Sequence, residues 1–141
     1  MRTRLFLYYF LQLTWGIIQN ILGFMIWIFV LLTGPKEKRH VFQGALVTRW
    51  YLKSSMSMGM FLFMGSDDPR VLVHEYGHTI QSCILGPFYL PVIGIPSFCW
   101  ANTPRFARSR RIGRYRYSDF YPERWANHLG RRFTGREAIR N

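Results

Sequence analysis

His74-Glu75-Tyr76-Gly77-His78 is the stretch of this chain whose residue types and spacing can do chemistry. Histidines four apart on a helix are separated by about 40° around its axis and about 6 Å along it, so both imidazoles can face one point. Imidazole pairs of this kind are zinc ligands in catalytic sites. Glu75 follows the first histidine and stands beside that point, where its carboxylate can take a proton from a zinc-activated water. Zinc brings the pKa of such a water down toward about 7, within reach of a carboxylate base. A shuffled chain of this composition contains the pattern roughly three times in a thousand, so chance is a poor explanation.

Two histidines leave a catalytic zinc short of a protein ligand. The candidates for the third are Asp67, Asp68, Asp119, Glu123, Glu137, His40 and His128. Glu123 has the best surroundings. In Glu123-Arg124-Trp125-Ala126-Asn127 the asparagine stands one turn along the same helix face, where its side-chain oxygen can orient His74 or His78. Asp119 and His128 are the next choices. An oxyanion-stabilising group is left open among Tyr121, Arg124 and His128.

HExxH followed by E-x-x-A-[D/N] resembles the gluzincin metallopeptidases. It is most similar to their membrane-associated branch, the prenyl-protein and heat-shock membrane proteases, and to the small minigluzincins. The resemblance covers two short helices, about a fifth of the chain. It implies that His74, His78 and Glu123 bind Zn2+ and that Glu75 is the base. It also implies that Asn127 holds the place of an aspartate that supports a histidine; without the negative charge that support is weaker. By the same resemblance, a strand within Met56 to Met64 receives the substrate as an added strand. Intramembrane site-2-type proteases also carry HExGH, but no later Asp-Gly ligand motif follows here and no long apolar run leads into the motif. A non-catalytic zinc-binding membrane interaction protein is the other alternative, and it would close the site with a fourth ligand, His128 or Asp119.

These residues need elements to hold them. Ser66-Asp67-Asp68-Pro69 reads as a turn and helix start, with Asp68 as cap and Pro69 in the first turn. The HExxH helix is expected from about Pro69 to Leu85, stopping at Gly86-Pro87. The Glu123 helix is expected from Ser118 or Asp119 to Leu129, with Pro122 in its first turn and Gly130 as its stop. Ala45 to Tyr51 and Met56 to Met64 read as two strands around Lys53-Ser54-Ser55. The expected fold is α+β: an N-terminal transmembrane helix, then a small zincin-like domain with a short sheet, the HExxH helix and the third-ligand helix.

The 141 residues have room for one domain, and their apolar share is unevenly placed. Leu5 to Leu32 carries no charged residue, enough helix to cross a bilayer with tilt. It is longer than the apolar region of a signal peptide, and no small-x-small cleavage site follows. Residues 1–34 are therefore expected to be a retained transmembrane anchor, with residues 35–141 as the metalloprotease domain. Lys36, Lys38, Arg39, Arg49 and Lys53 outnumber Arg2 and Arg4, which places that domain on the cytoplasmic side. Gln12, Gly16, Gln19 and Gly23, with Asn20 beside them, recur at helical spacing and suit a helix-packing partner.

Segment 86–100 is apolar but broken by Pro91, Gly94 and Pro96, which suits an interfacial or re-entrant path better than a regular span. Segment 105–116 holds six arginines, with Tyr115 and Tyr117 among the last of them. The formal net charge of +12 calls for anionic partners. No nucleic-acid motif accompanies the arginines, whereas a cation near anionic head groups gains about 1 kcal/mol, so lipid is favoured over nucleic acid. Cys83 and Cys99 lack CxxC spacing, which excludes a disulfide scaffold and a cysteine-rich metal site. The function these features point to is a membrane-anchored zinc-dependent peptidase acting on a protein or peptide substrate.

Overall fold

The structure is a computed structural model that describes residues 2–34 and 39–139. Lys36 and Lys38, used above to orient the chain, lie outside the described residues.

The apolar run Leu5 to Leu32 forms two helices rather than one. Helix α1 covers Arg2–Leu13 and α2 covers Ile17–Thr33, and their axes bend by 88° at the break. No single helix among the described residues is long and apolar enough to cross a membrane; α1 and α2 pass that test only as a bent pair. The 17 residues of α2 make about 25 Å of helix, less than the roughly 30 Å of hydrocarbon. The expected single transmembrane helix is thus replaced by an elbow, and the polar stripe explains why. Asn20 Nδ2 donates to the Gln12 carbonyl and side-chain oxygens, both at 2.7 Å, and to the Gly16 carbonyl at 2.8 Å. Gln12, Gln19 and Asn20 are all buried, and their partners lie forty or more residues along the chain as well as next door. A buried amide must be hydrogen-bonded, so these side chains set the path of the backbone.

Their distant partners are the HExxH helix α3, Pro69–Leu85, and a turn of the sheet. Gln12 Nε2 donates to the Thr79 carbonyl (3.1 Å), Gln19 Nε2 to Ser82 Oγ (2.8 Å) and the Gly86 carbonyl (2.9 Å), and the Met60 amide to Asn20 Oδ1 (2.9 Å). The helix-packing partner expected from the stripe is therefore within this chain.

Four short strands make one sheet: β1 His40–Phe42, β2 Ala45–Arg49, β3 Met56–Met58 and β4 Phe61–Met64. Their order is β1-β2-β4-β3, with β2 and β4 parallel and both outer pairs antiparallel. The second strand expected from sequence is split at the Gly59 turn, where φ is +61°. Helix α2 covers one side of the sheet through Val30, Phe61 and Phe63, while α3 packs on the other through Val47, Leu62, Tyr76 and Ile80.

Helix α3 begins as expected, with Asp68 accepting from the Arg70 amide at 2.8 Å. Every residue from Val73 to Cys83 is buried. After it, segment 86–100 turns through Gly86–Phe88 and a wide turn at Leu90–Gly94 into α4, Ile95–Asn102. Helix α5, Pro104–Arg111, precedes the last helix α6, Tyr121–Thr134. Gly130 does not stop α6, which runs four residues further to Thr134 and is capped by Gly135 with φ +68°.

Candidate metal centre

Among the described elements, helices α3 and α6 pack most extensively against each other, and each has a glycine where the other's backbone passes. A Cβ on Gly77 would lie 1.9 Å from the Ala126 carbonyl oxygen, and one on Gly130 would lie 2.2 Å from that of Val73. Only glycine permits so close a crossing. Gly130 is therefore a packing residue, which is why the helix continues through it.

The crossing brings Glu123 over the two histidines. Glu123 Oε2 is 3.1 Å from His74 Nε2 and 3.4 Å from His78 Nε2. Two ligands held at zinc's usual bond lengths in a tetrahedron lie about 3.3 Å apart, so these separations suit one shared metal ion. The imidazole planes are nearly perpendicular, at 89°, with centroids 4.9 Å apart. Among the described residues, His74, His78 and Glu123 form a buried group able to hold a metal ion, their ligand atoms within 4.8 Å of one another.

The other ring nitrogen of each histidine is engaged. His74 Nδ1 is 2.9 Å from Asn127 Oδ1, and His78 Nδ1 is 2.7 Å from Gln81 Oε1. An amide oxygen only accepts, so each Nδ1 carries a proton, and in the neutral ring it is Nε2 that is left to bind a metal. Gln81 is itself oriented, since its Nε2 donates to the Pro122 carbonyl at 2.8 Å. Asn127 thus stands where the sequence placed it. Gln81 was missed, although its position one turn after His78 on the same helix was a visible clue.

Glu123 tests whether a cation fits. It is 0% exposed, and beyond the two imidazole nitrogens its carboxylate oxygens have no hydrogen-bond partner. An ionised carboxylate buried this way is costly unless a positive charge or metal answers it. Burial works to raise its pKa, but His74 and His78 overrule it and hold the carboxyl well below the usual range. Burial likewise works against protonating His78; hydrogen bonding to and charge from Glu123, with Glu75 and Gln81 behind, overcome it and lift the pKa to about 9. In the absence of metal a proton is drawn to the place that a cation would take.

Glu75 is buried beside this group but is not part of the ligand set. Burial raises its pKa, with His74 and His78 opposing. Ser57 of β3 and Tyr89 are buried close to it. This places the edge strand β3, within the Met56 to Met64 stretch, alongside the proposed base.

The other candidates are elsewhere. Asp119 and His128 are exposed, and the Asp119 carboxylate caps the Arg116 amide at 2.9 Å. Asp67 pairs with Arg49, Asp68 caps α3, and His40 is exposed on β1. Tyr121 donates to the Val92 carbonyl and Arg124 to the Asp119 carbonyl, so neither points at the site. Tyr117 does approach it, its ring centred 6.3 Å from that of His74. Burial, followed by the charges of Glu123 and Glu75, raises its pKa and keeps it a phenol. Its place among arginines disguised it in the sequence. Arg110 stacks over Tyr117 (5.5 Å) and Trp100 (5.1 Å), and Trp100 Nε1 donates to the Tyr117 carbonyl, which holds the segment against the site.

No family model, curated protein or solved structure matches the chain.

Proposed function

We propose that this chain is a membrane-associated, zinc-dependent peptidase of gluzincin type, with His74, His78 and Glu123 as ligands and Glu75 as base. The observation that carries the reading is Glu123, a fully buried carboxylate with one oxygen 3.1 and 3.4 Å from the Nε2 atoms of the two histidines, and Glu75 left outside that group. When bound, zinc would supply Lewis acidity toward a carbonyl and acidify water. Asn127 and Gln81 hold the imidazoles in the tautomer a metal needs. Glu75 takes the proton of the attacking water and returns it to the leaving amine; its raised pKa suits a group that must do both. Tyr117 brings a hydrogen-bond donor to the His74 side, where an oxyanion can be stabilised.

A closed structural site would need a fourth protein ligand, and Asp119 and His128 both stand away from the group. Membrane association is supported by the apolar side chains that α1 and α2 leave exposed, Phe6, Ile21, Met25 and Leu32 among them. Metal analysis of the purified chain is the test. About one zinc per chain is expected in wild type and in Glu75→Gln, with loss in Glu123→Ala, and peptide hydrolysis in wild type alone. Wild type without zinc after reconstitution would sink the reading.

A further inference from the structure

We infer that the α1–α2 elbow enters a single leaflet of an anionic bilayer and does not cross it. The inference rests on the membrane association proposed above and specifies how that association is made.

Helix α2 is docked lengthwise on the sheet. Asn20, near its start, accepts from the Met60 amide; Phe24 and Trp27 meet Phe61 at 6.3 and 6.1 Å; Val30, near its end, shares a buried cluster with Phe61 and Phe63. Were α2 to thread the bilayer, the sheet would go with it. Sheet edges and turns left in hydrocarbon have no water for their backbone polar groups, so that arrangement is excluded. Straightening the pair into one long span is no easier. It would part Gln12 from Thr79, Gln19 from Ser82 and Gly86, and Asn20 from Met60, and would turn three amides toward lipid.

The outer side of the elbow has the opposite character. Phe10, Leu13, Trp15 and Ile18 are each about half exposed, as are Ile84 at the end of α3 and Phe88 in the turn after it. The two groups are neighbours: Trp15 Nε1 donates to the Ile84 carbonyl, and Phe10, Leu11, Thr14, Trp15, Cys83 and Ile84 line one open groove of about 610 Å³. Tryptophan at such an edge suits the level of the head groups. The charges choose the occupant. Arg2 and Arg4 begin α1, and neither α1 nor α2 contains an acidic residue. An apolar surface with cations and no anions fits an anionic leaflet, entered to part of its depth.

Labelling of the full-length chain in membranes tests this. In a Cys99→Ser background, where Cys83 is buried, Thr3→Cys and Arg39→Cys report the two ends of the elbow. A membrane-impermeant maleimide is applied to sealed vesicles from the expressing cell, then again after mild detergent opens them. Both positions reacting in the same step supports a one-leaflet insert. One reacting before opening and the other only after shows a crossing and overturns the inference while leaving membrane association intact. A chain that floats no better with phosphatidylcholine–phosphatidylglycerol vesicles than without lipid overturns the membrane reading itself; if it is also dimeric, the elbow is covered by a second copy. Zinc content of each variant, measured alongside, reports that the fold is intact.

Discussion

At Glu123 the chain keeps a carboxylate where folding alone would favour an apolar side chain, and its neighbours are chosen to suit a cation. Removing the amide oxygens behind the histidines should show this. Gln81→Ala and Asn127→Ala are each expected to weaken zinc binding about 10–100-fold, measured by competition with a chromophoric chelator. Asn127→Asp should tighten it, because a carboxylate raises the basicity of the imidazole it holds. The pH response follows from His78, whose pKa in the folded, metal-free chain is raised from 6.5 to about 9. A group raised on folding stabilises the fold fully below its unfolded pKa and loses that contribution as pH rises through the folded value. Melting of the chelated protein should thus fall in temperature between pH 6.5 and 9. The zinc-loaded protein should not follow it, since the metal needs a neutral imidazole and binds better as that proton leaves. Parallel melts of both forms across that range check the sign.

Between elements, the α3–α6 crossing is what turns a helical motif into a three-residue site. Gly77→Ala would drive a methyl into the Ala126 carbonyl, backbone against backbone, with no flexible side chain to give way. The expected loss is about 3 kcal/mol, the upper end for overpacking, with zinc lost in parallel, read by urea unfolding and metal analysis. The elbow should be sensitive in a different way. Asn20→Leu leaves the Met60 amide and the Gln12 carbonyl without this partner, costing about 1–3 kcal/mol while the zinc stoichiometry is retained.

For the molecule as a whole, the residues from α4 to Tyr117 form a strap across a buried site. Arg110 ties it down: its guanidinium donates to the Trp100 and Ala101 carbonyls and covers the rings of Trp100 and Tyr117. Arg110→Ala should leave stability within about 1–2 kcal/mol of wild type yet speed removal of zinc by a chelator severalfold. Unchanged release kinetics would show that the strap does not control access.

The sequence by itself determined what depends on neighbours a few residues apart. The His74 and His78 spacing, the Asp68 cap, the start of α3 and the pairing of Glu123 with Asn127 are all one-turn relationships, set by helix geometry whatever surrounds them. Gln81 belongs to the same kind and was legible in principle. The tertiary structure decided the rest. Along the chain Glu123 is preferred to Asp119 and His128 only for the asparagine one turn later, and it is the approach of α6 to α3 at Gly77 and Gly130 that brings it to the histidines. The run from Leu5 to Leu32 has the composition of one long helix, but its amides have partners on α3 and the sheet, some seventy residues away at Ser82. Satisfying them bends the run into an elbow, a cost and gain that no local pattern records.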